Sequence, residues 1–157
     1  MSVFTSAITD LDANSRSISS NEAMRLSSEW TFVENLTGDQ GNHTLFTVTG
    51  DVLVNLIAVC STNIAGAGTM EAGVAGNTAE ILPQIADATD LDAGDVWTID
   101  SSPGAGAQAL RATRAVGGGV DIILTIGTAD LTAGVVTFYC LWRPLSSDGN
   151  VTVTTPA

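Results

Sequence analysis

The stretch "ATDLDAGD" (88–95) carries Asp90, Asp92 and Asp95, with Asp87 just ahead of it. Three chemistries use such a run: a calcium loop, a catalytic acid cluster, or a solvated turn. Calcium takes roughly six to eight oxygens, and a helix–loop–helix calcium loop needs acids at alternate positions, a central Gly and a closing Glu. Asp90, Asp92 and Asp95 give D-x-D-x-x-D and lack that Glu, so they form a calcium candidate without the full pattern. Asp and Asn also close turns by bonding their own backbone. Lying between "EILPQI" and "DVWTID", the run is read first as an exposed acidic turn.

The other candidates carry less. "GAGAQA" (104–109) fits G-x-G-x-x-A, but a dinucleotide site needs a helix there and then a strand ending in an acid about twenty residues on. Asp121 begins its strand instead, behind three glycines, so a flexible loop is expected. His43 is the only histidine and could be imagined with Asp51 and a serine, yet no G-x-S-x-G elbow is present. Neither Glu22, Glu71 nor Glu80 neighbours an aromatic platform that would hold a sugar for paired-carboxylate hydrolysis. Cys60 and Cys140 have no CxxC spacing and sit in apolar strand patterns, so buried free thiols are expected and zinc is not. Cys60, Trp97 and Cys140 follow the Cys–Trp–Cys order of immunoglobulin domains. Tyr139, however, adjoins the second Cys instead of standing two residues before it. No catalytic residue, cofactor or enzyme activity is expected.

The elements that must position these residues are short and β-type. From about Leu36 onward, apolar runs are broken by Gly, Asn and Asp: "HTLFTVTG" (43–50), "DVLVNLIAVCST" (51–62), "GTMEAGVAGN" (68–77), "TAEILPQI" (78–85), "DVWTID" (95–100), "QALRATRAV" (108–116), "VDIILTIG" (120–127) and "GVVTFYCLWRPL" (134–145). "NVTVTTPA" closes the chain as a candidate edge strand. Turn signals recurring every ~8–12 residues are the pattern of a β-sandwich or barrel. The expectation is a single all-β sandwich over 37–157, of jelly-roll or Ig-like topology, with an N-terminal arm or edge segment over 1–36. That segment is serine-rich, and "SSNEAMRL" could also start a short helix capped by Ser19 or Ser20. In 51–62, Val52, Val54, Leu56, Ala58 and Cys60 share one face, and Leu53, Asn55, Ile57 and Val59 share the other. Apolar residues on both faces call for cover on both, by another layer or another subunit.

Composition limits the partners. The 157 residues contain 17 acids against five arginines and no lysine, a net charge of −12. That balance argues against nucleic acid, whose phosphates need Lys and Arg, and against anionic membranes. The start lacks a basic flank followed by an apolar block, and no apolar run is long enough to span a bilayer, so a soluble, unprocessed chain is expected. Without lysine the sheet edges lack a common guard against edge pairing, which favours edges covered by a partner subunit.

"HTLFTVTGDVLVNLIAVCST", "EAGVAGNTAEILPQ" and "VDIILTIGTADLTAGVVTFYCLWRPLSSDGN", spread over roughly residues 42–150, resemble a group of small virion-associated proteins of tailed bacteriophages. The resemblance lies in overall texture, and no block is a catalytic motif. It implies a structural protein, foremost a capsid decoration (cement) protein on the outer surface of the phage head, with the major capsid protein as partner. A homotrimer on threefold positions would be a natural arrangement. In that setting Arg16 and Arg25 would reach along the shell, and the strand holding Val52, Val54 and Leu56 would help form a subunit contact. The alternative is a head-fibre or tail-tip β-domain that binds host surface ligands, whose signature would be exposed aromatics.

Overall fold

A computed structural model describes residues 24–99, 101–105 and 113–155. Its strands are β1 (Met24–Thr31), β2 (Gly41–Thr49), β3 (Val52–Ala65), β4 (Thr69–Val74), β5 (Asn77–Ile85), β6 (Asp95–Thr98), β7 (Ser101–Ala105), β8 (Arg114–Val116), β9 (Ile122–Gly127), β10 (Ala133–Pro144) and β11 (Asn150–Val153). One 3-10 turn, Ala88–Asp90, joins β5 to β6, and the described residues contain no α-helix. The chain is an all-β sandwich of two antiparallel sheets.

One sheet runs β1-β10-β3-β6-β7, with β8 also on β3; the other runs β11-β2-β9-β4-β5. Setting aside β7, β8 and β11, the pairs nest from the outside inward: β1 with β10, β2 with β9, β3 with β6, and β4 with β5. Alternate pairs fall in alternate sheets. That is the wiring of a jelly roll, a long antiparallel hairpin rolled into two layers, so the topology left open by the sequence is settled against the Ig-like order.

Alternation explains the long strands. In β3 the burial pattern is strictly period two from Val52 to Cys60, and β10 follows it from Gly134 to Trp142. Their inward rows meet Leu45, Phe46, Met70, Ile122, Leu124 and Ile126 of the opposite sheet in one core. Leu45 and Phe46 are adjacent yet both fully buried, because the β2–β9 register shifts between Thr44 and Phe46 and a bulge turns successive side chains to the same side.

Of the segment expected as an arm or edge segment, the part from Met24 on is an edge strand: β1 ends its sheet and pairs with β10 over its full length. Trp30 and Phe32 are core residues, so the sandwich begins before residue 37. The helix that "SSNEAMRL" could have begun is strand from Met24 on, while residues 1–23, including Arg16, lie outside the described residues. "SSPGA", expected partly as flexible loop, is the edge strand β7. Edge strands are where a proline such as Pro103 is tolerated. Of "QALRATRAV" only Arg114–Val116 is strand among the described residues.

Candidate functional site

Three of the four aspartates of 87–95 accept hydrogen bonds from the loop itself or from the adjoining strand. Asp87 caps the 3-10 turn, accepting from Thr89 Oγ1 at 2.7 Å and Thr89 N at 3.0 Å. Those bonds, the hydroxyl's first, hold its carboxyl below the usual range. Asp95 Oδ2 accepts from Asp92 N at 3.1 Å, while Asp92 Oδ1 accepts from Asn63 Nδ2 at 2.8 Å. Asp90 is exposed. Gly94, at φ +98°, turns the chain back so that its N–H reaches Cys60 O at 2.8 Å. Among the described residues no three His, Cys, Asp or Glu side chains are placed to hold a metal ion. The calcium candidate Asp90, Asp92 and Asp95 therefore does not assemble: the carboxylates close a loop instead of converging on a centre.

The catalytic candidates are likewise separated. His43 Nε2 lies 2.8 Å from Asp39 O, and the ring packs edge-on to Trp30 at 5.9 Å. Asp51 follows the far end of β2, about 20 Å away by strand rise, where its Oδ1 accepts from Gly118 N at 2.8 Å. Glu71 accepts from Thr78 Oγ1 and from Gln84 Nε2. Glu80 pairs with Arg114 at 2.8 Å.

Both cysteines are buried free thiols. Cys140 stands opposite Leu56 and Cys60 opposite Val136. Four residues of strand, about 13 Å, therefore separate them, beyond disulfide reach. Burial pushes the Cys140 thiol up to about 12, and burial is also the first cause of the rise at Cys60.

A cleft of about 530 Å³ opens where β10 turns into β11, lined by Met24, Trp142, Leu145, Ser146, Ser147 and Asn150 among others. None of its described lining residues is an acid or a base.

The outer face of the β1-β10-β3 sheet is different. Val52, Val54 and Leu56, expected at a subunit contact, are 0–1 % exposed. They face the opposite sheet and are unavailable to any partner. The outward row of the same strand, Leu53, Asn55, Ile57 and Val59, is half-buried, as are Tyr139 and Leu141 beside it on β10. No third layer of described strands covers this face. On β1 the outward residues Arg25, Ser27, Glu29 and Thr31 are exposed, and the Arg25 guanidinium carbon lies 5.9 Å from the Tyr139 ring centroid, within cation–π range. The two-sided apolar pattern of 51–62 signalled such a face; which row turned outward needed the long-range pairing.

Charge is unevenly placed along the strands. Glu34, Asp39, Asp87, Asp90, Asp92 and Asp130 sit in loops at one end of the sandwich, linked by bonds such as Gln40 N to Asp130 Oδ1. The described arginines lie towards the other end: Arg25 opposite Leu141, Arg143 opposite Leu53, and Arg114 opposite Val54. Asp51, Asp121 and Asp148 share that end.

Compared with known proteins, the chain matches no protein-family model, no curated protein and no solved structure.

Proposed function

We propose that this chain is a structural protein of a tailed-phage head: a decoration (cement) protein that binds the outer surface of the shell, with the major capsid protein as partner, and acts as a homo-oligomer. It performs no catalysis in this reading. The observation that carries the proposal is the outer face of β10 and β3, where Leu53, Ile57, Val59, Tyr139 and Leu141 lie half-buried with no further layer of described strands over them. Apolar rows of this kind mark protein–protein contact. The jelly roll adds support by analogy alone, since capsid domains use it and so do lectins. A rigid two-layer domain repeated in many copies suits a shell, because contact that exists only in the assembled state stabilises that state.

The head-fibre or tail-tip reading would want aromatic side chains presented to a ligand. Trp30, Trp97 and Trp142 are 3 %, 0 % and 7 % exposed, and Tyr139, the outward aromatic of β10, is half-buried with Arg25 over its ring.

The test is copy number in purified particles, by quantitative mass spectrometry against the major capsid protein. One copy per capsid subunit, or a fixed small fraction set by the lattice, is the expected result. Fibre-like stoichiometry would favour the alternative, and absence from the particle would overturn both.

A further inference from the structure

We infer that two copies of this chain pack face to face through the outer surface of the β1-β10-β3 sheet, with Arg25 of each copy against Glu29 of the other. This goes beyond the capsid reading and gives the same face to a second copy of the chain, so contact with a shell would use another surface. The register places outward residues in lateral rows. Ser27 pairs with Tyr139, and Tyr139 with Ile57. One step to one side lies the row Arg25, Leu141 and Asn55; one step to the other lies Glu29, Thr137 and Val59.

Turn one copy over about an axis that lies in the contact plane, across the strands at the level of Ser27. The middle row then meets itself, so Ile57 and Tyr139 pack on their own counterparts. The flanking rows exchange, which brings Arg25 over Glu29 of the second copy, twice by symmetry. Any other pairing of the rows forfeits one or both of these contacts. A residue pair that is complementary to its own reversal is what an isologous interface requires. Aligned sheets pack in this manner about 10 Å apart, interleaving their side chains.

Area is sufficient. β1, β10 and β3 occupy three strand positions, and the short β8 and β6 lie end to end beside β3 in a fourth. Four positions about 4.8 Å apart, with roughly eight residues each rising about 3.3 Å, give roughly 500 Å² of flat face per copy. Both copies together reach about 1,000 Å², the lower bound for a specific interface, before the corrugation of the side chains is added. Charge explains why this face, among those available, takes a second copy. The molecule carries −12, so most of its surface repels another copy, whereas the outward positions of β1 hold one arginine and one glutamate. The symmetry is twofold, not the threefold that a shell seat would suggest.

Sedimentation equilibrium of the full chain over a wide concentration range tests this. A concentration-dependent dimer is expected for the unaltered protein. R25E and E29R should each weaken it by about tenfold, as two attractions become two repulsions, and R25E/E29R together should restore it. Ile57→Asp should abolish it, with an unchanged circular dichroism spectrum showing that the sandwich still folds. A monomer at all concentrations would overturn the inference. So would an oligomer indifferent to these changes, including a trimer. If the protein were monomeric and R25E instead cost it particle binding, the face would belong to another protein and the twofold contact would be wrong. The charge swap leaves copy number in particles as a separate readout, so this inference and the capsid reading can fail independently.

Discussion

Asn63 donates from Nδ2 to Asp92 Oδ1 at 2.8 Å, and its own Oδ1 accepts from Ala93 N at 2.8 Å. One amide near the end of β3 thus holds the acidic loop in a two-point grip, using the donor and acceptor that only Asn or Gln carries on one group. Asn63→Ala removes both bonds while water re-solvates the exposed partners. The expected loss is about 1 kcal/mol, read as a lower midpoint in urea with an unchanged slope. No change in midpoint would mean that the loop is held by its backbone contacts alone.

With the aspartates used in this way, calcium has no ready-made seat. Adding millimolar calcium, or a chelator, is expected to leave the melting temperature where it was. A rise with calcium that a chelator reverses would show that the loop rearranges to bind.

The acidic stretch was legible as a turn because Asp and Gly recur between two apolar runs, and β3 and β10 were legible because their alternation is long. Three things were not. Val52, Val54 and Leu56 were assigned to a contact because both rows of β3 are apolar, and nothing local says which row turns inward. β1 was hidden by its inward Ser28, by the exposed Arg25 and Glu29, and by the helix-forming Glu22-Ala23-Met24-Arg25-Leu26 around its start. β7 consists of small residues and a proline, with no periodicity to read. Pairing at long range decided all three, and pairing at long range also separated the jelly roll from the Ig-like order.

Trp97 sits fully buried in β6, donating from Nε1 to Pro83 O at 3.1 Å and packing edge-on to Phe138 at 6.4 Å. Trp97→Ala is expected to cost about 3–5 kcal/mol through the cavity it leaves. Trp97→Phe should cost less, about 1–2 kcal/mol, through the smaller ring and the lost hydrogen bond to the part-buried Pro83 O. Chemical denaturation of the two variants would separate the packing from the hydrogen bond. Equal losses would mean that the hydrogen bond, not the volume, dominates.

Cys140 links stability to alkaline pH. Its thiol is pushed up to about 12 from an ordinary value of 9.0 by burial, so the folded chain keeps a proton that the unfolded chain releases first. The contribution is fully present below pH 9.0 and is lost as pH rises towards about 12. Cys140→Ala should flatten that decline, at some cost in packing at neutral pH. Native protein should also resist alkylation at pH 8, since the thiolate is the reactive form, and should react promptly once unfolded. Rapid labelling of the native chain would contradict the burial.

Among the described residues, loop carboxylates gather at one end while the arginines towards the other are balanced by Asp51, Asp121 and Asp148, and this uneven charge gives the sandwich an electric dipole moment along its strands. A positively charged surface exerts a torque on such a body before contact, turning the acidic loops towards it. Encounter with a basic partner is thereby biased end-on, leaving the flat sheet face side-on and free during approach. Added salt would shorten the range of that steering to about a Debye length, near 8 Å at physiological ionic strength, and the orientation would then be settled only on touching.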